Sequence, residues 1–410
     1  MADPITLEAP GSKSATQRAL LLASLAPGTS TLRGALDCDD ARALRGALQR
    51  LGIDVRTEGT EWTVQGGVYR SPSEPLFCAE AGTCLRFLAA ASLLIEDRVT
   101  LDAAEQLRRR PVREVVDALR VLGKRVEHLG AEGFAPFVVS QEGPIPGRVR
   151  VDASGTSQFL SGLLMLSPLL GGMEVTVTGK IASRAYVELT RTMMVRFGGP
   201  AIEDLGTGFR APAGSYRPTQ IQIEADWSSG AMLHVAGWLT GRRVSIPNLD
   251  PHSTQGDRRI VDFLHELGRP RPHTFDLSDC PDLITPLAVA CAFASQPSVI
   301  GDVAHARLKE CDRIAAAAKM LAEVGITVEE RRDGLRIFPG ETLGDDPRTS
   351  PPFARLGARI EDFGDHRMAM AAGLLSLRVH GVHTANPECV QKSFPRFWEV
   401  LERLRCSIDR

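Results

Sequence analysis

Several cations stand at the starts of apolar segments, where an isolated helix would not place them. Lys13 and Arg18 flank one such start, Arg86 lies in a second and Arg367 opens another. A helix N-terminus presents free N–H groups and partial positive charge, so a cation is unfavourable there unless an anion shares the site. The chemistry these positions suggest is the gathering of phosphates or carboxylates. Capping alone accounts for the Ser, Thr, Asp and Gly in the same loops, so no single loop is decisive. Other charged groups have bland readings when taken one at a time. Arg108-Arg109-Arg110-Pro111 reads as a solvated basic turn, and Lys309-Glu310-Cys311-Asp312-Arg313 as the charged face of a helix. Lys392 reads as a surface lysine, and His366 in Asp365-His-Arg367 as a hydrogen-bonded core histidine. His380 and His383 lack acidic company and no Cys pair is spaced as CxxC, so no metal site is expected.

The elements that must position these residues recur. Apolar helices are predicted at 18–25, 85–94, 159–170, 230–239, 283–294 and 368–377, each entered from a short polar loop and apolar nearly all round. Between them lie amphipathic segments at 40–51, 112–122, 186–197, 259–267, 312–324 and 397–404. Glycines 52, 123, 198, 268 and 325 follow five of the latter, predict left-handed C-caps and recur at separations of 71, 75, 70 and 57 residues. Short β-like stretches follow, as at 53–55 and 326–328. The pattern predicts six α/β units. The Gly/Pro-rich stretch 198–218 reads as a joint between the third and fourth. Ile5-Thr-Leu-Glu-Ala9 is echoed by Ile221-Gln-Ile-Glu-Ala225, which suggests two halves of three units joined by two crossovers.

Composition bounds the class. The chain has 410 residues, too many for one core that stops growing near ~250–300 residues. Its formal charge of -2 argues against a general nucleic-acid coat. Eight dilute cysteines do not form a disulfide scaffold. The stretches 159–173 and 283–294 are too short for a membrane span, and residues 1–10 lack an apolar signal region. A cytoplasmic soluble protein is expected.

Taken together, the loops resemble the 5-enolpyruvylshikimate-3-phosphate synthase family. The matching stretches are Pro10-Gly-Ser-Lys-Ser-Ala-Thr-Gln-Arg18, Ala81-Gly-Thr-Cys-Leu-Arg86, Arg110-Pro111, Ser154-Gly-Thr-Ser-Gln-Phe-Leu160 and Ser183-Arg-Ala-Tyr186. They continue with Gln255-Gly-Asp257, Pro281-Asp282, Leu308-Lys-Glu-Cys-Asp-Arg-Ile314, Asp365-His-Arg-Met-Ala-Met370 and Lys392-Ser-Phe-Pro395. Their order along nearly the whole chain makes the resemblance specific.

The resemblance implies an α/β fold of two lobes, each of three βαβαββ units about a pseudo-threefold axis, an inside-out α/β barrel. It places one lobe at 12–224 and the other at 1–11 plus 225–410, with the active site in the cleft between them. It implies transfer of the enolpyruvyl group of phosphoenolpyruvate to the 5-hydroxyl of shikimate 3-phosphate, with release of phosphate through a tetrahedral intermediate. No cofactor, metal, nucleic acid or membrane is implied, and a monomer is expected. Lys13, Asp282 and Glu310 are the implied catalytic residues. Lys13, Gly82, Arg110, Gln158, Arg313, Arg367 and Lys392 would hold phosphoenolpyruvate. Ser14, Arg18, Thr156, Ser157, Gln158, Ser183, Tyr186, Asp282, His305 and Lys309 would hold shikimate 3-phosphate, with His366 in support.

Three positions depart from the family's usual residues. Glu80 and His305 stand where the family often has Asn, and Phe87 where it often has Pro. Glu80 is expected to pair with Arg86 or point away, and His305 to act as a neutral donor. Gly82 leaves room for glyphosate competing with phosphoenolpyruvate. UDP-N-acetylglucosamine enolpyruvyl transferase shares the implied fold and donor, but typically carries Lys-Asn where this chain has Lys13-Ser14, and a loop cysteine absent from 105–111. An RNA-end processing enzyme is disfavoured by few aromatic residues (15 Phe, 4 Trp, 3 Tyr) and by the net charge. The intact set Lys13, Asp282, Glu310 and Arg367 argues against an inactive scaffold.

Overall fold

The computed structural model describes residues 4–339 and 358–406. The chain forms two compact units, one from Gly11 to Glu224, the other joining the residues up to Pro10 with those from Ala225 onward. The two echoing segments explain this division. Strand Ile5–Thr6 pairs in parallel with Val244–Ser245, whereas Gln220–Gln222 pairs in parallel with Gly28–Arg33. Each strand therefore stays in one unit while the helix that follows it belongs to the other. Ser12 N–H donates to Glu224 O and Asp226 N–H to Pro10 O, both at 2.8 Å. Gly11 makes its crossing possible, because a Cβ there would lie 2.0 Å from the Gly34 carbonyl oxygen.

In the 11–224 unit, three four-stranded sheets repeat one pattern: a parallel pair, then two antiparallel strands. They run Gln220–Gln222, Gly28–Arg33, Glu61–Gly66, Asp54–Glu58; then Leu76–Phe77, Val99–Asp102, Phe137–Gln141, Lys124–His128; then Arg148–Asp152, Gly172–Thr178, Gly208–Pro212, Glu203–Asp204. Chain order within each is βαβαββ, the first repeat borrowing its opening strand from Gln220–Gln222. The other unit has one such sheet, built from His273–Asp276, Ser298–Gly301, Gly334–Phe338 and Thr327–Arg331. Among the described residues its other two repeats show only the parallel pairs Ile5–Thr6 with Val244–Ser245 and Arg359–Ile360 with His383–Thr384.

The apolar segments form the inner helices: Lys13–Leu25, Gly82–Ala91, Gln158–Leu166, Trp227–Thr240, Ile284–Ala292 and His366–Leu375. Their small residues allow close packing. Gly162, for example, brings Gln158–Leu166 against Gly82–Ala91, and a Cβ there would meet the Ala90 methyl at 3.1 Å. Among the described residues, no helix is long and apolar enough to cross a membrane.

Two local expectations change. Gly52, Gly123, Gly198 and Gly325 adopt φ of +89°, +78°, +72° and +86°. Gly268, by contrast, is right-handed at φ -72°. The first four turn a helix into an antiparallel hairpin, whereas the Gly268 helix leads directly to the parallel strand His273–Asp276. The stretch 198–218 is not a joint, because it contains Glu203–Asp204 and Gly208–Pro212 of the third sheet. Gly208 is needed there for contact, since a Cβ would sit 2.0 Å from Val175 O.

Candidate active site

In the 11–224 unit, the first inner helix begins five residues before its expected start. Ser12 caps it by accepting from Ala15 N–H at 3.4 Å. Lys13 and Ser14 are therefore first-turn helical residues, and Arg18 lies one turn on. Lys13 Nζ is 2.9 Å from Asp40 Oδ2. Arg18 is 2% exposed, and neutral oxygens surround it. Its Nε donates to Thr190 Oγ1 at 2.7 Å, and its Nη atoms to Ser14 O, Tyr186 O and Ser161 Oγ at 3.0, 3.1 and 3.3 Å. Burial pulls its pKa down to about 10, opposed only by Tyr186, so it stays charged at neutral pH.

The second helix start brings Gly82, Arg86 and Arg110 together. A Cβ on Gly82 would lie 3.0 Å from Arg110 Nη1, and Arg110 Nε is buried without a hydrogen-bond partner. Arg86 donates to Gly82 O, Pro111 O and Glu114 Oε1. Burial, with Arg110 nearby, lowers its pKa to about 10 despite Glu114. The carboxylate beside Arg86 is thus Glu114, while Glu80 is exposed and follows Ala79 at φ +48°.

At the third start, Gln158 Nε2 donates to Thr83 Oγ1 at 3.0 Å, and its Oε1 is buried without a partner. Thr156 Oγ1 accepts from Gln158 N–H at 3.3 Å, and Ser157 Oγ donates to Ser183 O at 3.4 Å. Ser183 stands at the N-cap position of helix Arg184–Arg196, without a side-chain capping bond, in a left-handed conformation (φ +56°), a strained state for a residue with a Cβ. The third start thus joins Ser157 to Ser183, and Arg18 joins Ser14 to Tyr186.

The other unit contains a denser network. Asp312, not Arg313, caps helix Arg313–Glu323, accepting from Ile314 and Ala315 N–H. Arg313 is thereby turned inward, 1% exposed, and is not part of a charged surface face. It donates to Asp282 Oδ1 and Asp365 Oδ2 at 2.6 Å and to Glu310 Oε2 at 2.8 Å. Arg367 Nη2 donates to the other Asp282 oxygen at 3.1 Å. Asp365 also caps helix His366–Leu375 through Arg367 N–H, and His366 Nδ1 is 3.6 Å from it. Burial alone would raise the Asp282 pKa, but Arg367, Lys309 and Arg313 hold it well below the usual carboxylate range. Burial alone would lower that of Arg313, but Asp365, Glu310 and Asp282 keep it well above its ordinary value. Lys392 is buried at the end of the turn Pro387–Lys392, and His305 is half-buried in Ala304–Leu308.

Several partners have no role implied by the sequence: Asp40, Ser161, Thr190, Asp365 and Asp257. The signal for Asp365 and Asp257 was their place in motifs beside implied site residues. Asp257 is buried and accepts from Ser228 Oγ. Burial, then the charge of Asp282, pushes its pKa up to about 7. Chemically, the first set offers cations and hydrogen bonds to anions. The second offers a buried, ionised carboxylate, Asp282, held by two arginines.

The chain matches the family model described as EPSP synthase (3-phosphoshikimate 1-carboxyvinyltransferase) over residues 5–401. The 3-phosphoshikimate 1-carboxyvinyltransferase of Syntrophobacter fumaroxidans is 38% identical, the alignment covering 97% of this chain and 96% of that one. That of Shewanella oneidensis is 34% identical over the same shares. EPSP synthase from Acinetobacter baumannii has a similar fold, with a TM-score of 0.78 at 23% identity, covering 97% of this chain and 95% of that one.

Proposed function

The chain belongs to the EPSP synthase family, and from that premise we propose how its two sets of residues divide the chemistry. The reaction is transfer of the enolpyruvyl group of phosphoenolpyruvate to shikimate 3-phosphate, a step of the shikimate pathway; the enzyme is a 3-phosphoshikimate 1-carboxyvinyltransferase. Both substrates carry a phosphate and a carboxylate, so each needs cations and preorganised donors.

Lys13, Gly82, Arg110, Gln158, Arg313, Arg367 and Lys392 hold phosphoenolpyruvate. The unspent Arg110 Nε and Gln158 Oε1 support this, being buried polar atoms that a ligand would satisfy. Ser14, Arg18, Thr156, Ser157, Gln158, Ser183, Tyr186, Asp282, His305 and Lys309 hold shikimate 3-phosphate, and His366 supports the Asp365 carboxylate.

Asp282 accepts the proton of the 5-hydroxyl as its oxygen bonds to the central carbon of phosphoenolpyruvate. Glu310 delivers a proton to the methylene carbon, giving the tetrahedral intermediate. The C–O bond to phosphate then breaks, the hydroxyl proton held by Asp282 passing to the departing phosphate, whose oxygen Lys13 stabilises, and Glu310 takes a proton back from the new methyl group. The observation that carries this reading is Asp282 itself, kept ionised by Arg313 and Arg367 although buried. The enzyme works as a cytoplasmic monomer.

A coupled phosphate-release assay tests the reading. Phosphate should appear only with both substrates, and glyphosate should compete with phosphoenolpyruvate. Release with UDP-N-acetylglucosamine in place of shikimate 3-phosphate would instead favour the sibling transferase.

A further inference from the structure

Arg18 is unusual in what holds it. Among the described residues, no carboxylate is paired with this buried guanidinium. Two aromatic rings flank it instead: its Cζ lies 5.5 Å from the centroid of Phe87 and 5.7 Å from that of Tyr186. Phe87 is fully buried in helix Gly82–Ala91 and is closely packed. The facing helix Gln158–Leu166 presents Gly162 to it, where even a Cβ would meet Phe87 Cδ1 at 3.3 Å.

A carboxylate in the place of this ring would hold Arg18 equally well but would cancel its charge. A ring face attracts the cation through its quadrupole and adds no charge. The positive charge is therefore oriented and kept available to a ligand.

We propose that Phe87 is a positioning residue for the reaction: its clamped ring face holds the Arg18 guanidinium, uncompensated, in the pose that receives an anionic group of shikimate 3-phosphate. This rests on the assignment of Arg18 to that substrate. It goes beyond that assignment in naming the group that orients the cation, and in predicting an effect confined to one of the two substrates.

The test is a series of ring-fluorinated phenylalanines at position 87 in the full chain, with Phe87→Met as a non-aromatic variant of similar volume. Fluorination drains the ring face and nearly preserves its shape. The KM for shikimate 3-phosphate should rise stepwise with fluorine count, to roughly threefold to tenfold, with kcat and the KM for phosphoenolpyruvate unchanged. Phe87→Met should match the most fluorinated ring. Arg18→Met separates the possible failures. If it raises the KM for shikimate 3-phosphate while fluorination has no effect, the role of Phe87 is overturned and the assignment of Arg18 stands. If Arg18→Met leaves that KM unchanged, the assignment fails and the inference fails with it. A parallel rise in the KM for phosphoenolpyruvate, or a fall in kcat, would also overturn the proposal, because it would reveal a packing role alone.

Discussion

Two buried arginines, one in each unit, are held in opposite ways. Arg18 sits among Thr190, Ser161, backbone oxygens and two aromatic rings, and burial lowers its pKa. Arg313 sits among Asp282, Glu310 and Asp365, and their charges raise its pKa. Arg18 lies one turn into its helix and Arg313 opens its own, yet the first leaves positive charge over and the second is outnumbered by negative charge. Burying a cation without a counter-ion is costly, so a site that keeps one must have a use for the charge. A cation saturated by carboxylates serves them instead, fixing their positions and keeping them ionised.

The largest effect that would sharpen this contrast is on chemistry. Asp282→Asn removes the carboxylate that Arg313 and Arg367 share, and kcat should fall by about 10²–10⁴-fold, typical of losing a general base. Steady-state rates with both substrates saturating check this, and near-normal turnover would remove Asp282 from the base role. Arg313→Met comes next. It leaves three carboxylates without their common partner, and unfolding free energy should drop by about 3–5 kcal/mol in denaturant titration.

A smaller effect is on pH dependence. The Asp257 pKa is raised to about 7 by burial and by Asp282, so between the ordinary carboxylate value near ~3.9 and about 7 the folded chain binds a proton that the unfolded chain has lost. Its contribution to stability is full below that window and is lost as pH rises through it. Asp282 works in the opposite sense, its contribution being present above the ordinary carboxylate value and lost as pH falls below it. Asp257→Asn should therefore flatten the decline between about pH 4 and 7, read as unfolding midpoint against pH. The smallest effect is expected in the basic run 108–110. Arg109 is exposed and, among the described residues, pairs only with exposed Glu105, so Arg109→Ala should change stability by less than about 0.5 kcal/mol and leave both KM values alone.

Much of this was legible in the residues themselves. The inner helices announced themselves by composition, and the echo of Ile5-Thr-Leu-Glu-Ala9 with Ile221-Gln-Ile-Glu-Ala225 marked where the chain crosses. Four of the five helix-ending glycines are left-handed because a hairpin follows each. Gly268 could not be told apart locally, because what differs is the parallel strand five residues later. Which carboxylate faces which cation was also hidden. Asp365 and Arg313 are 52 residues apart and Arg18 and Thr190 are 172 apart, so these pairings exist only once the helices pack. The inward turn of Arg313 depended on Asp312 taking the cap, a choice that a run of five charged or polar residues leaves open.

On the proposed division of roles, the charge of Arg18 is kept for a substrate. The most direct measurement is calorimetric titration of shikimate 3-phosphate into Arg18→Met, alongside its unfolding free energy. Affinity should fall by roughly tenfold or more, the scale of a lost charge-assisted contact, while stability is nearly kept, because the partners released among the described residues are neutral. Unchanged affinity in the folded variant, together with a collapse in stability, would contradict it.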